Sequence, residues 1–271
     1  MSEDVVWLLA ALAGAGLFAG FIGGLFGIGG GVVVVPALYA VFSAFGVDEA
    51  VRMHVAVGTS LSTIIATSAR SLGAHAKAGA VDFAVLRAWA PWIAAGAVLG
   101  GALAGAANTE ALLIVFGVGL LLVAAQLGMG NPAWRLARDL PKGAARAATA
   151  ASIGALSALM GIGGGAFGVT AMTLCGRPIH QAVATASGFG AAIAAPATLM
   201  YVIAGWGQAG LPPWSFGYVS APGFVVLAAL TAMTAPIGAR LAHRLPQREL
   251  KRAFAMLLAV VALNMVREAF S

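Results

Sequence analysis

The chain has 271 residues, 61% of them hydrophobic and 9% charged, with a formal net charge of +6 at pH 7. A soluble domain carries about 25% charged residues, so a soluble globular protein is excluded. Apolar runs near or above about 18 residues recur, which indicates a polytopic helical membrane protein, and segments such as 5–25 and 111–127 lack the strand alternation of an outer-membrane barrel.

In chain order, the candidate segments are 5–25, 31–46, 52–70, 84–106, 111–128, 144–161, 165–176, 180–204, 216–240 and 251–268. The first is read as a retained helix rather than a secretion signal, because Glu3 and Asp4 stand where such a signal needs basic residues. The pieces 31–46 and 165–176 are short and are read as half-helices or re-entrant arms. Three loops are basic: 70–87, 130–146 and 240–252. Basic loops set topology and meet anionic lipid, so these go to the cytoplasm and both termini go outside. The same distribution excludes a nucleic-acid partner, since Arg135, Arg138, Lys142 and Arg146 fall in one loop and Arg240, Arg244, Arg248, Lys251 and Arg252 in another. The single cysteine, Cys175, rules out an intramolecular disulfide and a cysteine-built metal site.

The chain repeats itself. GLFGIGGGVVVVPAL (24–38) matches ALMGIGGGAFGVTAM (158–172), HVAVGTS (54–60) matches QAVATAS (181–187), and LGGALA (99–104) resembles IGARLA (237–242). The expected architecture is therefore all-α, with two repeats of about five helical segments: residues 1–130, a basic cytoplasmic linker at 131–143, and 144–271. An odd number of crossings per half makes the repeat inverted, as in many secondary transporters, where short, Gly-interrupted segments at matching places point to the transport site.

Gly29, Gly30 and Gly31, with Gly163, Gly164 and Gly165, are the candidates for that site. Glycine reaches dihedrals closed to other residues and lets a ligand approach the backbone. A helix restarting there exposes amides without an intrahelical partner and the positive end of its dipole, a combination that binds anions. Two such ends could hold one anion near the membrane centre without a buried Lys or Arg. Pro36 suits the early part of the restarted helix. Gly16, Gly20 and Gly24, four apart, read instead as helix-packing positions.

Hydroxyls and end-of-segment polar groups complete the candidate set. Thr59, Ser60 and Ser187 could donate to an anion, against the alternative of back-bonds to helix carbonyls. His54 and Gln181 are repeat equivalents near the starts of their segments, and Arg70 at an inner end could attract anions. His75 and His243 fall in basic loops and read as lipid-surface residues. All nine acids lie at or near segment ends. The lack of buried carboxylates disfavours a cation cargo and a carboxylate proton relay. No metal site or cofactor is expected. GIGGGA at 161–166 lacks the acid that a dinucleotide fingerprint needs, since no Asp or Glu occurs from 140 to 248. An intramembrane protease is a remote alternative: His180 is seven residues from Ser187, above it on one helix rather than beside it.

The paired Gly-rich turns, GIGGGVVVVPAL and GIGGG, together with VAVGTSL at 55–61, resemble the TauE/SafE family of sulfite and organosulfonate exporters. The likeness in length, duplication and loop charge covers nearly the whole chain. It implies a multi-pass permease of the bacterial inner membrane that carries sulfur-containing anions such as sulfite or sulfonates. The Gly-rich motif carries over to Gly27, Gly29, Gly30, Gly31 and Pro36, and the GTS motif to Gly58, Thr59 and Ser60. The second half departs from the pattern at Thr170, in place of the proline, and at TAS (185–187). The expected partners are a small anion, membrane lipid and, for an oligomer, further copies of the chain. An anion channel or an uptake permease is the alternative, and an enzyme is not expected.

Overall fold

The computed structural model describes residues 3–26, 30–129, 137 and 139–270. Ten helices run through these residues: α1 Glu3–Phe26, α2 Gly31–Ala44, α3 Glu49–Lys77, α4 Phe83–Ala106, α5 Thr109–Met129, α6 Gly143–Met160, α7 Gly165–Leu174, α8 Ile179–Ala204, α9 Ala221–Ala242 and α10 Gln247–Ala269. α4, α5, α8 and α9 are long and apolar enough to cross a membrane by length and composition. α2 and α7, with 14 and 10 residues, reach only about 21 and 15 Å at 1.5 Å per residue. Neither matches a hydrocarbon core of about 30 Å, so both are half-helices.

Two segments depart most from the sequence reading, while α10 begins four residues before the expected 251. α3 begins earlier and ends later than 52–70. Asp48 caps its start by accepting from the Ala50 amide at 2.9 Å, and the helix stops only before Gly79, whose φ of 67° breaks it. Before α9, Ser215–Phe216 and Val219–Ser220 pair antiparallel, so the helix starts at Ala221 rather than 216. Ser220 caps it through Gly223.

α3 and α8 cross at the centre, with α1 and α9 packed on one side and α4 and α6 on the other. Exchanging α1–α5 for α6–α10 in order maps the main pairings onto one another. α1 packs on α9 and α6 on α4; α2 on α3 and α7 on α8; α3 on α9 and α8 on α4. Small residues allow the closest seams, because without a side chain two backbones can touch and gain dispersion contacts that lipid tails cannot provide. A Cβ at Gly24 would collide with the Ala235 carbonyl, and one at Gly238 with the Phe21 carbonyl. In the α4–α6 seam the same holds for Gly96 against Ala151 and Gly154 against Ile93.

The contacts define two ends. At one, Thr109 Oγ1 donates to the Glu49 carbonyl at 2.7 Å, joining the start of α5 to the start of α3. At the other, His75 in the last turn of α3 meets His243 at the end of α9, and the Asp82 amide donates to Thr185 Oγ1 on α8 at 2.9 Å. Lys77, Arg87, Arg146, Arg177, Arg240, Arg244 and Arg248 gather at this second end, against the acids Asp82, Asp139 and Glu249. The first end holds Asp48, Glu49, Glu110 and Glu268 with Arg52 and Arg267. We call the second the basic end. Arg135 and Arg138 lie outside the described residues.

Candidate glycine-corner site

Each half contains one corner where a long helix ends and a half-helix begins. In the second half, α6 ends at Gly161 with φ 66°, and the Ile162 amide turns back to the Ser157 carbonyl at 3.0 Å. This is a left-handed C-terminal cap that favours glycine. α7 then starts after Gly164, also left-handed at φ 71°, and the Gly168 amide donates to the Gly164 carbonyl at 2.7 Å. In the first half α2 starts after Gly30, at φ 83°, with the Val33 and Val34 amides both donating to its carbonyl. Gly29 and Gly27 lie outside the described residues.

The two corners touch. A Cβ on Gly31, the first residue of α2, would collide with the Gly161 carbonyl and sit 2.9 Å from Ile162 Cα. Ser60 of α3 donates its hydroxyl to that same Gly161 carbonyl at 2.8 Å. On the other side, a Cβ on Gly164 would collide with Ile193, and the Gly163 carbonyl faces Gly190 of α8, which also carries the Ser68 hydroxyl against it. Residues 30–31 and 161–165 are all buried, packed against α3 through Ser60 and Ile64 and against α8 through Phe189, Gly190 and Ile193. The first amides of α7, at Gly165, Ala166 and Phe167, have no partner within their helix.

Among the sequence candidates, Ser60 alone of the hydroxyls reaches the corners. Thr59, next to it, accepts from the Ser220 amide at 2.9 Å and so pins the β-hairpin before α9. Ser187 bonds back to the Ala184 carbonyl at 2.6 Å. His54 is buried at the end opposite the basic one. Its Nε2 donates to the Ala104 and Ala107 carbonyls at 3.1 and 3.0 Å, and its ring lies 4.7 Å from that of Tyr218. It holds the end of α4. Gln181 is half-buried in the first turn of α8, at the basic end. Arg70 is exposed and lines a groove of about 680 Å³ between α3 and α9, with Lys77 and Arg240. The corners therefore bring together Gly30, Gly31, Gly163, Gly164, Gly165 and Ser60, and leave Thr59, Ser187, His54, Gln181 and Arg70 elsewhere.

Two residues escaped sequence reading. Ser68 and Ser157 are buried, and neither hydroxyl has a hydrogen-bond partner among the described residues. A buried hydroxyl without a partner costs about 1–3 kcal/mol, so an occupant that accepts from it gains accordingly. Their positions held a signal: Ser68 lies eight residues after Ser60, two helical turns along one face, and Ser157 lies four before Gly161.

His75 is a correction. It is not a lipid-surface residue of a loop. α3 continues through it, burying it completely against Gly24 and His243.

The roles of Thr59 make a direct expectation. Thr59→Val removes the acceptor of a buried Ser220 amide and keeps side-chain volume, so the thermal midpoint is expected to fall by an amount corresponding to about 1–3 kcal/mol. Anion affinity in the same detergent-solubilised protein is expected to stay unchanged. An unchanged midpoint would remove the hairpin-pinning role.

Apolar helices of membrane length, interrupted by two half-helices at paired glycine corners, define a helical membrane transporter. Residues 12–265 match the family described as sulfite exporter TauE/SafE, and the chain belongs to that family. It is 32% identical over 258 residues to a probable membrane transporter protein of Haemophilus influenzae, covering 95% of this chain and 97% of that one. It is 26% identical over 270 residues to one of Methanocaldococcus jannaschii, covering 97% of each. Bacillus subtilis YunE, also named a probable membrane transporter protein, is 31% identical over 178 residues, covering 59% of this chain and 65% of that one. No solved structure matches the chain. The protein is a membrane transporter and not an enzyme. Consistent with this, the hydroxyl of Ser187 bonds to its own helix, and Nε2 of His180 lies 3.1 Å from the Leu245 carbonyl rather than facing the serine.

Proposed function

We propose that this protein carries a small sulfur-containing anion, such as sulfite or an organosulfonate, and binds it at the glycine corners. The observation that carries the reading is the meeting of the two corners. Residues distant in sequence, Gly31 and Gly161, touch, with the Ser60 hydroxyl on the same carbonyl and, on α3 and α6, the buried hydroxyls of Ser68 and Ser157, which have no hydrogen-bond partner among the described residues. An anion there would draw on the α2 and α7 amides and the positive ends of both helix dipoles. It would also accept from Ser68 and Ser157. Gly29 joins this set by its place in the motif.

In this reading residues 1–130 and 144–271 are inverted repeats joined by 131–143. The exchangeable helix pairings support it, as do the opposed directions of α3 and α8, which start at opposite ends of the bundle. The corners are closed on one another in the state described. Transport requires that the halves separate them, first toward one face and then toward the other. The basic end faces the cytoplasm by the positive-inside rule, and both termini then lie outside, in a bacterium across the inner membrane. An inside-negative potential drives a carried anion outward by about 2.3 kcal/mol per charge per 100 mV, so export needs no coupling ion. The family's name for the activity, sulfite export, agrees in direction.

The test is flux. Purified protein in proteoliposomes is offered sulfite, sulfate, thiosulfate, taurine and sulfoacetate under an imposed potential. Saturable, potential-driven movement of sulfite or a sulfonate is expected. Movement of cations alone, or of none of the five, would reject the reading.

A further inference from the structure

Three of the four histidines meet at the basic end, outside the corner site. His75 is fully buried in the last turn of α3, His243 caps α9, and His180 lies in the first turn of α8. Nδ1 of His75 is 3.0 Å from Nε2 of His243, with the rings edge-on and 5.1 Å between centroids. The His180 ring is 6.4 Å from that of His243. The cluster is not arranged to hold a metal ion.

The partners fix where the hydrogens are. A carbonyl only accepts, so Nε2 of His75, 3.3 Å from the Gly24 carbonyl oxygen, carries a hydrogen. Neutral His75 then accepts at Nδ1, and His243 donates from Nε2. Nε2 of His180 likewise donates to the Leu245 carbonyl. One neutral chain of bonds therefore runs from α9 through α3 to α1, and His180 ties α8 to the loop after α9. We propose that the His75–His243 pair, with His180 beside it, is a proton-binding site that clamps α1, α3, α8 and α9 together while neutral and releases them when protonated.

The step balances. A solvent proton adds to Nδ1 of His243, which is only partly buried. The Nε2–H bond of His243 then breaks as its proton passes to Nδ1 of His75, where a new N–H bond forms. His243 is neutral again and the charge sits on buried His75. No carboxylate contacts it among the described residues. The charged groups at that end include Arg70 and Lys77 on α3, Asp82 before α4 and Arg87 on it, Asp139 and Lys142 before α6 and Arg146 on it, Arg177 before α8, Arg240 on α9 and Arg244 after it, and Arg248 with exposed Glu249 on α10; among the described residues the nearby part of α1 offers the Gly24 carbonyl. Uncompensated charge in a buried, cation-rich seam favours opening it to water. A second proton, on His243, would set donor against donor and split the pair.

Burial, and then neighbouring His180, hold the His243 pKa below its ordinary value of 6.5. A depressed folded pKa means that the clamp is complete above about pH 6.5 and is lost as pH falls through the folded value. The site is separate from the corners, so it does not depend on which solute is carried.

The test uses the intact protein in micelles, labelled with ¹⁵N-histidine and titrated from about pH 8 to about pH 5. At the upper limit His75 is expected to show a protonated Nε2 and a bare, hydrogen-bonded Nδ1. The thermal midpoint is expected to fall by about 3 °C or more across the range, and a His75→Asn, His243→Gln double variant, which keeps an acceptor facing a donor, is expected to lose that dependence. Overturning results are histidines that all titrate together like free imidazole, near about pH 6.5, or a pH dependence unchanged in the double variant. If the double variant does not fold, the wild-type titration decides alone.

Discussion

Gly31→Ala is expected to lower anion flux in proteoliposomes by about tenfold or more, a barrier change of roughly 1.4 kcal/mol or greater. The added methyl lands on the Gly161 carbonyl and within 3.1 Å of Ile64. The carbonyl is backbone held by its Ser60 bond, and Ile162 Cα stands beside it at 2.9 Å, so the start of α2 must move and carry its amides off the corner. Gly164→Val should act alike from the other half, since its left-handed φ and Ile193 both oppose a side chain. Gly73→Ala is the control: it lies on α3 with open space around it and should leave flux intact. Wild-type flux in Gly31→Ala would show that the corner contact has no part in transport.

The second large effect is on folding. Gly24→Val drives a branched side chain into the Ala235 carbonyl and backbone. Overpacking a core costs about 1–3 kcal/mol; here the obstruction is backbone, which cannot rotate away, so a loss at or above the upper figure is expected. The reciprocal change, Gly238→Val against the Phe21 carbonyl, should match it. Size-exclusion profiles and thermal midpoints check both, with Gly14→Val on the same helix, facing open space, as the neutral comparison. Equal stability of all three would mean that α1 and α9 do not rely on backbone contact.

Much of this was legible in the sequence, for physical reasons that also mark where legibility stops. Long apolar runs gave the helices, and the duplicated GIGGG gave the two corners, because few residues other than glycine accept left-handed turns in an apolar stretch. That the corners touch is a long-range fact with no local signature. Thr59 and Ser60 are neighbours, yet one helical step of about 100° sends one to the hairpin and the other to the corner; composition alone could not choose between them. His75 was read as a loop residue because basic and small residues follow Arg70, whereas nothing from Ser71 to Lys77 stops a helix and the break waits for Gly79. The histidine cluster stayed hidden as a result, since it joins positions 168 residues apart. The hairpin at 215–220 is too short to leave a pattern.

Selenite, a heavier isostere of sulfite, reveals where the anion binds through the anomalous scattering of its selenium in crystals of the protein. A selenium peak within hydrogen-bonding reach of the amides that open α2 and α7, beside Ser68 or Ser157, is the result expected. A sole peak in the groove of Arg70, Lys77 and Arg240, with the corners empty at saturating selenite, would contradict it.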